Sequence, residues 1–168
     1  MNTQTNTKKL YDRDGIVVRR SQGEDIEYLR DHMRLSDQNE IWASHHLYPQ
    51  EALTRGVDDS IFCCTVLNGN PMAMFGIVPE TLLGEKACVW LLASNDLVKI
   101  KRRFAKHSRY FVDMMLEYYP YLYNHVDDRN NESIAWLRFC GATIEEPKTY
   151  GVENMPFRYF YFTRNRRK

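Results

Sequence analysis

The sequence has 168 residues and a formal net charge of +1, with 43% apolar and 27% charged residues. This composition is typical of a globular chain with a buried core and excludes a disordered protein or one that is mostly membrane-embedded. Because the net charge is close to zero, affinity for nucleic acid would have to come from local clusters of basic residues. No apolar run approaches the roughly 20 residues that span a bilayer, and the N-terminal stretch lacks the apolar core of a signal peptide. We therefore expect the cytosol, or a particle assembled there, as the location.

The predicted elements divide the chain into three parts. Residues 1–14 are polar and without periodicity, which predicts a flexible arm. Residues 15–163 carry every predicted helix and strand and are expected to form one domain. Residues 164–168 form a basic tail, with Arg164, Arg166, Arg167 and Lys168.

The first half of the predicted domain is mainly helical. A strand is predicted for residues 16–19, and Ser21 with Glu24 has the spacing of a capping box in front of a helix over 24–33. A second helix or turn is predicted from Ser36 to Trp42. A third short helix follows Pro49, which suits a first helical turn.

The second half of the domain alternates strands with two helices. Strands are predicted at 61–67 and 72–78, joined by a turn with Gly69 at its centre, and again at 86–93. A long helix is predicted over 97–119, with Asp96 as its N-cap, because apolar residues recur there at helical spacing up to Pro120. A strand at 121–126, a helix at 132–140 closed by Gly141 and strands at 143–145 and 157–163 complete the chain. This order predicts an α/β (α+β mixed) fold, with a mixed central sheet of about seven strands and helices on both faces.

The cysteines and histidines predict no special chemistry. The four cysteines lie inside apolar segments, without paired short spacings, and are expected to be buried reduced thiols. The histidines are isolated from one another or adjacent in sequence. We therefore expect no metal site.

Six basic residues lie close together at the start of the long helix. Three interpretations stay open: an ordinary solvated helix face, a binding site for a phosphorylated ligand, or a contact with an acidic macromolecule such as nucleic acid or a protein surface. In the last strand, FRYFYF, aromatic residues alternate onto both faces, which burial in a sheet explains better than a base-stacking platform. The basic residues are Lys99, Lys101, Arg102, Arg103, Lys106 and Arg109.

The element order, with a long helix between the fourth and fifth strands, resembles the Gcn5-related N-acetyltransferase (GNAT) fold. The segment RNNESIAWLRFCGATI resembles the part of that fold in which an Asn is followed by a small residue, an aromatic residue and a Gly. Residues 86–162 also resemble a family of small proteins of short-tailed bacteriophages. Its members are described as internal virion or virion-morphogenesis proteins, or as phage proteins related to acetyltransferases.

The resemblance implies a site for acetyl-coenzyme A. Leu92, Ala93 and Ser94 would contact the pantetheine through their backbone, Arg102 and Arg103 would hold the phosphates, and Asn130 would occupy the position of the family's Asn. Two features depart from the family. No Gly lies between Gly84 and Gly141, where the family has its phosphate-binding loop. The position of the family's proton-donating Tyr falls on Leu137, which cannot transfer a proton.

We therefore expect a phage GNAT-like protein without catalytic residues and without a cofactor. It would act as a virion or virion-assembly component through contacts with other phage proteins, with nucleic acid as a further possible partner. The location would be the virion, the host cytoplasm or both. Two alternatives stay open: an active N-acetyltransferase that uses acetyl-coenzyme A, with Glu80 or Asp96 as the base, and a host-interaction or anti-defence protein on the same scaffold.

Overall fold

The computed structural model describes residues 8–164. They form nine β-strands, five α-helices and one 3-10 helix. The predicted arm residues 1–7 and the tail residues 165–168 lie outside this range. In chain order the elements are β1 (Lys9–Arg13), β2 (Ile16–Arg20), α1 (Gly23–His32), α2 (Leu35–His45), α3 (Pro49–Asp59), β3 (Phe62–Asn68), β4 (Asn70–Pro79), β5 (Lys86–Ala93), the 3-10 helix (Asn95–Ile100), α4 (Lys101–Tyr118), β6 (Tyr121–Asp127), α5 (Asn131–Cys140), β7 (Thr143–Ile144), β8 (Lys148–Tyr150) and β9 (Met155–Thr163).

The strands form one mixed sheet in the order β1-β2-β3-β4-β5-β6-β9-β7, with β8 also paired to β9. Within it, β5 and β6 form the parallel pair, and the other neighbouring strands are antiparallel. The parallel pairing joins Lys86–Cys88 to Tyr121–Tyr123 and does not extend to the C-terminal half of β5. The two central strands therefore separate beyond Cys88.

Helices cover both faces of the sheet, as predicted. Successive residues of a strand point to opposite faces, and β4 shows both environments. Met74 is buried in a small core with α1 and α3. Phe75 is buried in the larger core that α4 and α5 cover, where its ring lies 5.6 Å from that of Phe111. No helix of the described residues is long and apolar enough to cross a membrane.

The sheet has nine strands rather than about seven, because two short strands were not predicted. Residues 9–13 were expected to belong to the flexible arm, but they form β1 at the edge of the sheet. Its one buried side chain, Tyr11, packs against the rings of Tyr110 and Phe111. A single apolar residue in a polar stretch gives no periodic signal. The other missed strand, β8, has three residues and depends on its pairing with β9.

Two predicted helix starts are also wrong. Asp25, not Glu24, closes the capping box of α1 by accepting a hydrogen bond of 2.8 Å from the backbone of Gln22. The predicted helix over 97–119 consists of the 3-10 helix and α4, which meet at Ile100. Asp96 is not the N-cap, because the Ser94 hydroxyl accepts a bond of 3.3 Å from the Asp96 backbone. Asp96 pairs instead with Lys99 at 2.6 Å.

Candidate functional site

A cavity of about 520 Å³ lies where the end of β5 meets the 3-10 helix, the first turn of α4 and one side of α5. Apolar side chains form most of its wall, including Leu97, Phe104 and Trp136. Lys101 and Arg102 from the start of α4 provide positive charge. The cavity can therefore accept an elongated, largely apolar ligand with an anionic end.

The separation of β5 from β6 opens a strip of backbone toward this cavity. In β5, the carbonyl of Val89 accepts a hydrogen bond of 2.8 Å from the Asn124 side chain, on the side away from β4. Ala93 also directs its backbone N–H and C=O away from β4, to Asp37 and Arg34. Because antiparallel strands alternate the direction of these groups, Leu91 must also direct its N–H and C=O into the gap. Leu91 lines the cavity.

Of the three strand-end residues predicted for pantetheine contacts, Ser94 lines the first cavity, whereas Leu92 and Ala93 do not. The Ala93 N–H donates to Asp37 Oδ2 at 2.7 Å, and its carbonyl accepts from the Arg34 backbone at 3.0 Å. The Ser94 N–H donates to the Met72 carbonyl at 2.9 Å. Leu92 packs against the core under α1 and α3. In this geometry Leu91 is the residue with backbone groups free for a ligand in the gap.

The two arginines predicted for phosphate binding are also separated. Arg102 lines the first cavity and makes no hydrogen bond or ion pair within residues 8–164. Arg103 points to the turn between β1 and β2, where its guanidinium donates to the Asp14 carbonyl at 2.9 Å. Of these two arginines, Arg102 is the one available to a ligand in this cavity.

The rest of the basic cluster is occupied by contacts within the protein. Lys101 also reaches the cavity wall but pairs with Glu132 at 3.3 Å. These contacts favour the structural interpretation for most of the cluster. The pairs are Lys99 with Asp96 at 2.6 Å, Lys106 with Asp14 at 2.9 Å and Arg109 with the Phe139 carbonyl at 2.8 Å.

A second cavity, of about 300 Å³, opens on the opposite side of the gap between β5 and β6. It shares Arg34, Leu91, Ser133 and Trp136 with the first cavity. The two cavities therefore meet at the separated strands. Groups bound from either side of the sheet could approach each other at this junction.

Glu40, on α2, is the most chemically distinctive residue of the second cavity. Burial raises its pKa to about 7, and the nearby Asp37 and Asp127 carboxylates also raise it. Asn130 donates a hydrogen bond of 3.3 Å to its carboxylate, which lowers the pKa and holds the side chain in place. A carboxylate that exchanges its proton near neutral pH can act as a general base. Sequence analysis missed Glu40, because nothing in a polar helix marks one Glu as partly buried.

Asn130 has a structural role at the predicted position. It is the N-cap of α5, and its side-chain oxygen accepts a hydrogen bond of 3.2 Å from the Ser133 backbone. Its amide nitrogen then contacts Glu40. Asn130 therefore connects α5 to the second cavity and does not line the first one.

The other predicted acid and base positions are not arranged as a catalytic pair. Leu137, on α5, is buried in the core beside the second cavity. Glu80 lies at the far end of β4, where it accepts a bond of 3.3 Å from the Tyr123 hydroxyl. The hydroxyl at the junction of the cavities is that of Ser133, which accepts a bond of 3.3 Å from Arg34. The proton donor that this junction could offer is therefore the Ser133 hydroxyl, which is a weak acid.

The cysteines are free thiols. Burial raises the pKa of Cys64 to about 12 and that of Cys88 to about 11, so both stay protonated at neutral pH. Among residues 8–164, no group of three His, Cys, Asp or Glu side chains could hold a metal ion.

Solved acetyltransferases share this architecture along almost the whole chain. A crystal structure of the aminoglycoside acetyltransferase AAC(6')-Ib in complex with coenzyme A matches with a TM-score of 0.64 and 17% identity, covering 89% of this chain and 95% of that one. The ribosomal-protein-S5-alanine acetyltransferase of Vibrio fischeri matches with a TM-score of 0.66 and 11% identity, covering 96% of this chain and 99% of that one. The chain has the GNAT fold.

A third GNAT structure, the spermidine N-acetyltransferase of Vibrio cholerae in complex with CoA and spermine, matches with a TM-score of 0.57 and 11% identity. It covers 89% of this chain and 95% of that one. Identities this low establish the GNAT fold and not the activity. The predicted GNAT resemblance is confirmed for the fold.

Part of the chain that lines the two cavities also matches the model of a phage family. A family model described as "Bacteriophage T7, probable scaffold protein Gp13" matches residues 72–149. This span runs from β4 through β8 and includes α4 and α5. No curated protein matches the sequence.

The residues of the first cavity fit part of a coenzyme A molecule. The apolar wall and the Leu91 backbone suit a pantetheine arm, and Arg102 with Lys101 could face its phosphates. The first turn of α4 has no side-chain cap, and the 3-10 helix runs directly into it at Ile100. The glycine-free sequence there, with Ile100 nearly buried at the helix start, does not suit the close backbone approach of a glycine loop.

Proposed function

We propose that this chain is a phage virion-assembly protein built on the GNAT fold, and that it acts through contacts with other phage proteins rather than through acetyl transfer. It would work in the host cytoplasm, in the particle or in both. No cofactor is needed for this role. Its partners would be proteins of the assembling virion.

One observation carries the proposal. The resemblance assigns Leu137 to the position from which an acetyltransferase of this fold protonates the leaving thiolate, and Leu137 is buried. A leucine contributes apolar packing and no proton. The loss of that donor is expected when a scaffold keeps its stability and loses selection for turnover.

The similarity to the phage scaffold family supports the assembly role. The matched segment contains β5, α4 and α5, which form the first cavity and would have to keep the acetyltransferase residues in an active enzyme. Arg103, which the resemblance assigns to the phosphates together with Arg102, donates instead to the Asp14 carbonyl in the turn between β1 and β2. Residues of the cofactor region thus support the fold itself.

Deletion and complementation of the gene in the phage would test the proposal. We expect deletion to lower the yield of infectious particles and a plasmid copy to restore it. A copy with Glu40→Gln and Arg102→Ala should restore it equally, because neither cavity is used in this role. Failure of the double variant to complement, with a melting temperature not below that of the wild type, would contradict a purely structural function.

The two joined cavities favour a second candidate function, an N-acyltransferase that uses a coenzyme A thioester. The thioester would supply the acyl group. Arg102 would face the phosphates, the Leu91 backbone would orient the arm, and Glu40 would accept a proton from an amine in the second cavity. This function requires Ser133 or water in place of the usual proton donor.

Titration with acetyl-coenzyme A separates the two functions. A bound ligand at 100 times its Kd stabilises the folded state by about 2.7 kcal/mol. The assembly role predicts no change in melting temperature. An increase that Arg102→Ala removes and Arg103→Ala leaves would support the acyltransferase.

A further inference from the structure

One surface outside the two cavities has a composition typical of protein interfaces. Strands β6 and β9 place Tyr121, Tyr123, Tyr159 and Tyr161 on the same face of the sheet, and each is only partly buried. The alternate residues of these strands point to the opposite face, into the core that α4 and α5 cover. We call these four residues the tyrosine face.

The rings of the tyrosine face support one another. Tyr121 stacks on Tyr161 with centroids 5.3 Å apart, and Tyr123 lies 5.9 Å from Tyr159. The hydroxyls of Tyr121 and Tyr159 are 3.2 Å apart. Rigid tyrosines lose little conformational entropy on binding and are enriched among the residues that dominate protein interfaces.

A pocket of about 380 Å³ borders the tyrosine face beside Tyr159. His125 and Tyr150 stack at 3.8 Å in its wall, and the exposed carboxylates of Glu145 and Glu146 form its rim. The tyrosine face and this pocket share Tyr159. Together they form a continuous aromatic surface.

The charged groups around this surface have a small excess of carboxylates. At the other end of the tyrosine face, Glu80 accepts a hydrogen bond from the Tyr123 hydroxyl. Glu146 is 93% exposed, and among residues 8–164 its ion pair is with Arg158 at 4.0 Å. Arg158 pairs more closely with Asp128 at 2.5 Å. On the side of the sheet with the tyrosine face there are three carboxylates (Glu80, Glu145, Glu146) and two cations (Lys86, Lys148), which gives a net charge of −1. Lys148 pairs with Glu145 at 3.6 Å. An acidic rim disfavours a nucleic acid as the occupant.

One ring already binds a cation. The ammonium of Lys86 lies 5.2 Å from the centroid of Tyr121. Aromatic rings attract ammonium and guanidinium groups through their negative faces, and nearby carboxylates strengthen that attraction. Tyr123, Tyr159 and Tyr161 present the same kind of ring beside Glu80 and Glu145.

We infer that the tyrosine face docks a cationic segment of a partner protein, whose Lys and Arg side chains lie on the rings and pair with Glu80, Glu145 and Glu146. This surface deepens the proposed assembly role, on which it rests, by naming the kind of partner. It does not involve either cavity at the gap between β5 and β6.

Fluorescence anisotropy with the full chain tests the inference. The probe is a labelled peptide that repeats Arg-Gly-Lys-Ser, and the comparison probes are a peptide that repeats Glu-Gly-Asp-Ser and a single-stranded DNA of similar length. We expect saturable binding of the cationic peptide alone, weakened by salt. Tyr123→Ala should reduce its affinity about tenfold. No binding of the cationic peptide, or tighter binding of the DNA, would overturn the inference.

Matched variants control for folding and for charge. Glu145→Lys with Glu146→Lys changes only exposed groups, and it should abolish binding of the cationic peptide. Glu24→Lys with Glu27→Lys makes the same charge change on α1, whose two glutamates are exposed, and should lower affinity far less. Equal losses in the two double variants would mean that net charge alone attracts the peptide.

Sedimentation of the free chain tests the other occupant of this surface. We expect a monomer at micromolar concentration, unaffected by Tyr123→Ala. A dimer that Tyr123→Ala dissociates would overturn the inference, because a second copy would then cover the tyrosine face. Peptide binding without a defect of the deletion phage would instead leave the surface intact and remove the assembly role.

Discussion

The hydroxyl of Tyr11 lies 2.5 Å from Nδ1 of His107, and this contact joins the first strand of the sheet to α4 across 96 positions of sequence. The other ring nitrogen of His107 is 2.8 Å from the Asp14 carboxylate. Tyr11 and His107 are both nearly buried. Through these contacts, Tyr11 and Asp14 connect the edge strand β1 and the turn after it to His107 on α4.

Removal of the Tyr11 hydroxyl should destabilise the fold. Tyr11→Phe leaves a nitrogen of His107 without its partner in a buried position, which costs about 1–3 kcal/mol. Urea unfolding at neutral pH would measure the loss. Tyr110→Phe is the control, because Tyr110 is 50% exposed and packs on the same ring. Equal stability of the two variants would show that the Tyr11–His107 contact contributes nothing.

The two arginines at the start of α4 should differ in their effect on stability. Arg103→Ala removes a hydrogen bond to the Asp14 carbonyl and should cost about 0.5–1.5 kcal/mol. Arg102→Ala removes a side chain without a partner in the described part of the chain and should stay within about 0.5 kcal/mol of the wild type. Thermal unfolding of both variants without ligand checks this order. A larger loss for Arg102→Ala would contradict the placement of the two side chains.

Glu40 should make the stability depend on pH. Its folded pKa of about 7 lies above the ordinary value of 4.5, so the folded state binds the proton more tightly than the unfolded state does. This stabilisation is complete below about pH 4.5 and is lost as the pH rises through 7.

Glu40→Gln removes this dependence. The free energy of unfolding of the variant minus that of the wild type should increase by on the order of 1–3 kcal/mol from pH 5 to pH 8. Urea unfolding at the two pH values measures the difference, with Glu24→Gln on an exposed face of α1 as the control. A constant difference between wild type and variant at both pH values would place the pKa of Glu40 near its ordinary value.

Gly151 should be intolerant of a side chain. It has φ of +76°, and a Cβ there would lie 2.6 Å from the carbonyl oxygen of Ala43 on α2. Gly151→Ala should therefore lose more than about 2 kcal/mol and displace α2, which carries Glu40. Gly69 has φ of +77°, and a Cβ there would have no atom within 4 Å. Gly69→Ala should therefore lower the free energy of unfolding by only about 1–2 kcal/mol. Denaturant unfolding compares them, and equal losses would show that the contact with α2 is unimportant.

Elements with strong local signals were predictable. The strand at 86–93 and the hairpin around Gly69 are found where the sequence predicts them. Gly141 ends α5 in the left-handed conformation at φ of +95°. These features depend on turn chemistry and periodicity within a few residues, so a single sequence contains them.

The missed features depend on distant partners. Strand β1 exists because Tyr11 fits against α4, and β8 because β9 offers a free edge. The sequence by itself determined the order of the helices and of seven of the nine strands, and through that order the GNAT fold. Only the tertiary structure decided which charged side chains reach a cavity. Glu40 and Asn130 meet across 90 positions, and Arg102 separates from its neighbour Arg103, because burial and pairing are set by packing between elements rather than by neighbours along the chain.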